Sequence, residues 1–465
     1  MTIHIQFHDG AILERESPQA TALTVGDTRL NLNGAPEGIL DALEKMCKKG
    51  SSLDELEDVV LGKENTQGLA HFFFFLERLK ERGLICKTLV DPNKTSLVTL
   101  APCSEYFREE DHELPEVGKL SRFAFAAMDH GVMVLESPAA QARVLVHDPR
   151  AMAVFYAFSN TRKLETPVPL SPELPADQYK QLIQFFMQAR LIVAVNEEGV
   201  PEEDNQPPLC QWEFHDLLHL INSRQGRRKR IFGGSYRFRG TIASPQAIPD
   251  AEPGETLTLH QPILQEMENT DPPFVMVHEA RQSIREFGEE PLSGKQLGEF
   301  LYRVARTRQV IDRGEQELLS RPYPSSGGVY ELEIYPLIKN CDGIPNGLYH
   351  YCSQSHHLAK QSPWNSTIEK LFQKAVANTG ARNAQVLMIL ASRMPRLSWK
   401  YQSIAYALTL KHVGILLQSM YLNATAMDLG GCAIGTGDMQ QFAEASGKDP
   451  LQECSVGEFL LGSRS

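Results

Sequence analysis

The chain has 465 residues, too many for one hydrophobic core and enough for two to four domains. Its apolar fraction of 42% and charged fraction of 22% are those of a folded globular protein and exclude long disordered tracts. Its 46 Lys+Arg against 58 Asp+Glu leave a formal charge of -12, a field that repels phosphates and disfavours nucleic acid as a partner.

The first hundred residues read as a strand, three short helices and strand-like sequence. Ile39, Leu43 and Met46 share one helical stripe, and Ser52-Leu53-Asp54-Glu55 is a capping box opening a second helix that carries Leu56, Val59 and Val60. The third helix is expected from about Leu69 to Arg82, stopped by Gly83. Such a unit resembles a winged helix. After an acidic stretch from Pro102 to Pro115 the pattern begins again with Phe123, Val132, Val134, Val144 and Val146. Helices are expected near Ala151 to Ser159 and Ala176 to Arg190, then a strand at Leu191 to Val195, as in a diverged repeat. Pro201 to Pro208 and Pro245 to Pro262 read as linkers. Between them Arg224, Arg227, Arg228, Lys229 and Arg230 suit a solvated linker, or a contact for a polyanion or an acidic peptide.

Beyond about residue 265 lies a longer α/β unit. Ser293 to Gln296 is a capping box ahead of the apolar face Leu297, Phe300, Leu301 and Val304. Val329 to Ile338 reads as a strand and Gln385 to Leu390 as a buried strand. Tyr401 to Leu429 reads as a helix, apolar around most of its circumference and ended by Gly430-Gly431; it must be buried centrally or at a subunit interface.

Four groups of residues in this unit carry chemistry. Arg281, Ser283 and Arg285 place two fixed cations and a hydroxyl within five residues, which suits a phosphate monoester as well as an exposed helix entry. Arg321 to Gly328, with Pro324, Ser325, Ser326 and Gly327, offers backbone that can approach a planar ring, or a turn before the next strand. Gly430 to Thr436 reads as a helix C-cap or as a second such loop. Lys400-Tyr401 is either an exposed lysine beside an interface tyrosine or, next to a bound cofactor, a pair able to take a proton from carbon.

Several classes lose support. His215 and His219 stand one helical turn apart, but the glutamate of an HExxH site is missing and no third ligand stands out, so no metal is expected. There is no Walker loop and no Rossmann GxGxxG. Eight cysteines without a CxxC pair read as reduced thiols, and Met1-Thr2-Ile3-His4-Ile5 does not look like a secretion signal. With no long uninterrupted apolar run either, a cytoplasmic protein without a membrane span is expected.

The run Arg281-Gln282-Ser283-Ile284-Arg285, then Pro324 to Gly328, then Lys400-Tyr401 followed by Gly414, Gln418, Ala424 and Gly430 to Gly435, occur in one order. Carrying them, the chain resembles the SagB-type dehydrogenases, thiazole/oxazole-forming azoline oxidases of the FMN-dependent nitroreductase superfamily, and among these the free-standing oxidases of cyanobactin pathways. The resemblance implies an α+β protein. A dimeric nitroreductase-like FMN domain over 266–465, with an antiparallel or mixed sheet flanked by helices, would follow winged-helix-like modules at 1–100 and 116–200 and a linker at 201–265.

By the same resemblance, Arg281, Gln282, Ser283 and Arg285 would hold the FMN phosphate and pyrimidine edge, and Arg464 would complete the phosphate site. Pro324, Ser325, Ser326 and Gly327 would reach the flavin from the other subunit of a homodimer, while Ala433, Ile434 and Gly435 face the isoalloxazine. Lys400, Tyr401 or both would remove the ring Cα proton of a peptide thiazoline, or of the related oxazoline, as hydride leaves for flavin N5 and dioxygen reoxidises the flavin. The N-terminal half would hold a precursor peptide as an added strand. Two alternatives stay open: a general NAD(P)H-dependent nitro- or quinone-reductase, and a non-catalytic leader-peptide-binding subunit.

Overall fold

The computed structural model describes residues 2–465 apart from 18–19, 27, 49, 110–112, 169–173, 228–230 and 251–253. The chain divides into two compact units, Met1–Arg230 and Ile231–Ser465. Arg228, Lys229 and Arg230 of the basic run lie outside the described residues; Arg224 and Arg227 are exposed.

In the first unit the helices Glu37–Lys48, Leu53–Leu61 and Thr66–Glu81 form because each buries one apolar stripe: Ile39, Leu43 and Met46 meet Leu56, Val60, Phe72, Leu76 and Leu79 in one core. Ser52 caps the second helix by accepting from the Glu55 N–H at 3.3 Å, and Asn65 caps the third through the Gln67 and Gly68 amides. That third helix thus starts three residues before the expected Leu69. Strands Ile12–Ser17, Ala20–Val25 and Thr28–Asn31 form a separate small sheet that the sequence reading missed. Leu23 and Val25 are buried in the core, and Leu13 and Leu30 of the flanking strands pack against it.

A seven-stranded antiparallel sheet runs in the order Ser51–Ser52, Thr2–Phe7, Ile85–Val90, Ser96–Pro102, Ala142–Val146, Val132–Glu136, Phe125–Asp129. Residues 1–100 and 116–200, set out above as two modules, therefore share one sheet, joined where Val98, Thr99 and Leu100 pair with Val146, Leu145 and Val144. The helices Pro149–Ala157 and Ala176–Gln188 pack with Leu97 and Leu100 in one core. The expected linker from 201 is folded too. Glu203 is buried and accepts from Ser121 Oγ at 2.7 Å and the Arg122 N–H at 2.6 Å, and Leu217 and Ile221 of helix Phe214–Ser223 pack on Phe123.

The second unit holds a seven-stranded sheet ordered Thr256–Thr258, His357–Pro363, Gly347–Cys352, Leu332–Ile338, Val386–Ser392, Cys454–Ser463, Leu429–Ile434, with antiparallel pairing throughout. All seven residues of Val386–Ser392 are buried. Val386, Met388 and Leu390 face a core built with helices Gly294–Ala305 and Ala405–Ala426, while Leu387, Ile389 and Ala391 face helices Ser366–Thr379 and Met439–Ser446. The capping box expected at Ser293 and Gln296 is formed in both directions.

Two expectations need correction. The long helix spans Ala405–Ala426, not Tyr401 to Leu429, and an exposed stripe of Tyr406, Leu410, Gly414 and Gln418 lies opposite its buried face. Leu429–Ile434 is an edge strand, so Gly430-Gly431 is no C-cap, and Ala433 and Ile434 are strand residues with Gly435 just beyond. The glycines are there for space. A Cβ on Gly430 would stand 2.9 Å from Phe287 Cδ1, and one on Gly431 would collide with the Phe459 ring. Gly431→Ala should therefore cost about 1–3 kcal/mol, seen as a lower midpoint in urea unfolding.

Candidate functional site

The predicted residues gather at two places, both tied to the long helix. At its C-terminal end, Arg281 to Arg285 runs beside the edge strand, with the Ile284 N–H donating to Gly431 O at 2.9 Å. Tyr421 organises this end: its hydroxyl lies 2.8 Å from Ser283 Oγ and accepts from the Ala433 N–H at 2.8 Å, and the Arg281 guanidinium sits 5.3 Å from its ring centroid. Gln282, Tyr421, Gly431 and Arg464 line one small cleft, and Arg464 pairs with Asp428 at 3.1 Å. Arg281 and Arg285 have no carboxylate partner among the described residues. Two uncompensated guanidiniums flanking a hydroxyl suit a phosphate monoester.

At the other end, Arg321 to Gly328 curls against Lys400 and Tyr401. Gly327 adopts φ 57, and a Cβ there would overlap Lys400 Nζ and stand 2.6 Å from Tyr401 Oη. Only glycine lets the amine and the phenol converge on this point. Lys400 Nζ donates to Gly327 O at 3.4 Å, and burial pushes the half-buried Tyr401 phenol up. Pro324 is exposed, and Ser325 Oγ accepts from the Tyr330 N–H at 3.0 Å.

The loop is held by residues that the sequence did not single out. His412, 2% exposed on the long helix, has Nε2 2.9 Å from both the N–H and the Oγ of Ser326, and Nδ1 2.8 Å from Glu331 Oε1. In composition this is a Ser-His-Glu triad, but the Ser326 amide already occupies the Nε2 lone pair. The imidazole therefore carries its proton on Nδ1, donates to Glu331, and acts as a latch on the loop rather than as a base for Ser326. Beneath the loop, fully buried Arg396 donates at 2.7 Å to each of three carbonyls, Val329, Pro245 and Glu317. Burial and the nearby Arg393 and Arg321 guanidiniums bring it down to about 10. These partners lie 67 to 151 residues away in sequence, so no local motif announces them.

His412 and Tyr421 are nine residues apart, about 14 Å along the helix axis. Gly327 thus meets Lys400 and Tyr401 of its own chain and Ser326 meets His412, while Arg281, Ser283 and Ala433 gather at Tyr421. Near the latter group, Glu458 is buried on the strand paired with Ile434 and fills the space that a Cβ on Gly437 would take. His215 and His219 remain on helix Phe214–Ser223; among the described residues no group of three His, Cys, Asp or Glu could hold a metal, and no helix is long and apolar enough to cross a membrane.

Three family models match consecutive stretches: residues 2–109 match the ThcOx helix turn helix domain, 118–229 the cyanobactin oxidase ThcOx, and 279–461 the nitroreductase family. A Methanocaldococcus jannaschii protein assigned to the nitroreductases is 26% identical over 182 residues, covering 39% of this chain and 85% of its own. Among solved structures, a Ralstonia eutropha protein of the same assignment is 21% identical over 49% of this chain and 96% of its own, with a TM-score of 0.36. A chain of the Escherichia coli microcin synthetase McbBCD complex, with truncated pro-MccB17 bound, is 17% identical over 54% and 92%, with a TM-score of 0.33.

Two outcomes follow from this geometry. His412→Ala leaves the buried Glu331 carboxylate without its donor and should cost about 1–3 kcal/mol in urea unfolding. Burial, against a Ser455 hydrogen bond and with nearby Asp438, lifts Glu458 to about 7 from 4.5. With the folded value the higher one, both states are protonated below 4.5, and stability is lost as pH rises from there to about 7. Glu458 should contribute a fall of roughly 3 kcal/mol in unfolding free energy across that window, read as the part of the pH dependence that Glu458→Gln removes.

Proposed function

We propose that this chain, a nitroreductase-family protein of the cyanobactin oxidase type, is an FMN-dependent oxidase that dehydrogenates peptide thiazolines, and the related oxazolines, to thiazoles and oxazoles. The observation that carries this reading is the convergence of Lys400 Nζ and Tyr401 Oη on Gly327, a proton-accepting pair beside a loop without large side chains. Neighbouring family models for the cyanobactin oxidase and the nitroreductases support it from the comparison side.

Arg281, Ser283 and Arg285, with Gln282 and Arg464, would bind the cofactor phosphate, and the backbone of Ala433 to Gly435 would lie along its ring. FMN, when bound, supplies the two-electron acceptor for the hydrogen lost from the second ring carbon, with dioxygen as the final oxidant. The chain's own part is proton removal and placement. Lys400 as the free amine, or Tyr401 as the phenolate left when Lys400 takes its proton, accepts the ring Cα proton, and the Gly327 carbonyl orients the amine while Glu331 and His412 keep the loop still. The exposed stripe of Tyr406, Leu410, Gly414 and Gln418 on the long helix would meet a second copy, so that one chain's Arg281 group faces the other's Lys400 and Tyr401. The module at 2–109 would hold the precursor peptide as an added strand.

Purified protein should be yellow, or become so with FMN, and a colourless protein that cannot be reconstituted would sink this reading. Lys400→Ala and Tyr401→Phe should keep the flavin absorbance and lose about 100-fold or more in turnover of a thiazoline peptide. Full activity in both variants would remove the pair from the chemistry. Rapid bleaching by NAD(P)H with no azoline turnover would instead favour a nitro- or quinone-reductase.

A further inference from the structure

Residues 231–242, expected from sequence to lie in a linker, run as a strap along Trp399 to Ser403. Gly233 and Gln402 exchange both backbone hydrogen bonds, at 3.2 and 2.9 Å, and the Tyr236 N–H donates to Lys400 O at 3.2 Å. Side chains add to the seam: Ser235 Oγ donates to Gln402 Oε1 at 3.0 Å, Ser403 Oγ to Ile231 O at 2.9 Å, and Trp399 Nε1 to Ile242 O at 2.7 Å. Six hydrogen bonds thus fix the strap to the segment that bears Lys400.

Tyr236 sits at its centre with φ 52, a left-handed conformation that an aromatic residue adopts only when its surroundings force it. That conformation sets the ring beside the catalytic candidate. Lys400 Nζ is 5.7 Å from the Tyr236 centroid and 5.4 Å from that of Tyr401, with the Gly327 carbonyl as its hydrogen-bond acceptor. Trp399 meets Tyr236 edge-on, centroids 5.8 Å apart at 85°, and stops the ring from swinging away. The Arg239 guanidinium, 4.8 Å from the Tyr236 centroid, is itself neutralised by Glu315. A lysine stem has four rotatable carbons, and one carbonyl at 3.4 Å does not fix it.

We propose that Tyr236 is a positioning residue of the Lys400 and Tyr401 centre, its ring face being the wall that keeps the Lys400 amine over Gly327. The proposal rests on the reading that Lys400 works at the reacting ring, and it adds the strap as part of that site. The ammonium that Lys400 becomes on accepting a proton gains a factor of about two to five in occupancy of that place from one ring face. A lost angstrom of placement is far costlier in the reaction.

The test uses the full chain and two readouts. The first is competitive acylation of lysines with limiting acetic anhydride, followed by mass spectrometry, with exposed Lys370 and Lys411 as internal standards. Relative to those standards, Lys400 should react about threefold faster in Tyr236→Ala and in Tyr236→Leu, which keeps bulk without a π face, and at the wild-type rate in Tyr236→Phe. The second readout is turnover of a thiazoline peptide by FMN-loaded protein: Tyr236→Ala should lose tenfold or more in kcat with KM and flavin absorbance kept, and Tyr236→Phe should recover it. Unchanged Lys400 labelling in the alanine and leucine variants, or a phenylalanine variant as impaired as alanine, overturns the proposal. If wild-type protein turns over no azoline while labelling shifts as stated, the functional reading fails and the role of Tyr236 in holding Lys400 stands.

Discussion

The second unit depends on one constraint: Val386–Ser392 is buried on both faces and must therefore have a strand on each side and helices above and below. Everything chemical is a short extension of that arrangement. Its neighbour Leu332–Ile338 is fed by the Arg321 to Glu331 loop; its other neighbour, Cys454–Ser463, leads to Arg464 and pairs with the edge strand that carries Ala433 and Ile434. Its own C-terminal end runs through helix Met394–Ser398 directly into Lys400 and Tyr401. An apolar requirement at the centre of the sheet thereby fixes where a polar site can be.

What the sheet does not fix, buried polar groups do. His412, Glu331, Arg396 and Arg321 lie among apolar residues, where an unpaired donor or charge is costly, so each tolerates few geometries. Arg321 donates to Leu332 O at 2.9 Å, Arg396 takes three carbonyls, and His412 takes the loop amide. The glycine-rich loop, which has little conformational preference of its own, is pinned from below and from the helix side. That leaves Gly327 exposed in a left-handed turn with the amine and phenol over it.

The candidate residues stand out in the sequence because their order along the chain is itself a signal: Arg281 to Arg285, Pro324 to Gly328, Lys400 and Tyr401. The buried strand and the Ser293 capping box were legible for a different reason, since uniform apolarity and cap spacing are local. Misreadings came where a local rule competed with a distant partner. Gly430 and Gly431 look like a helix stop, yet they are strand glycines that make room for Phe287 and Phe459. Tyr236, His412 and Arg396 gave no signal, because each is defined by what it meets 67 to 164 residues away along the strap and the loop.

Arg396 also defines what can be cut from what. Its guanidinium spans carbonyls of Pro245, Glu317 and Val329, and neighbouring Trp399 uses the carbonyl of Ile242. A chain trimmed at residue 266, just ahead of the stretch that matches the nitroreductase family model, would strip two of these four acceptors from the floor of the site and the Tyr236 ring from its wall. The second compact unit begins at Ile231, so the apparent tether is, over its second part, that unit's own first layer.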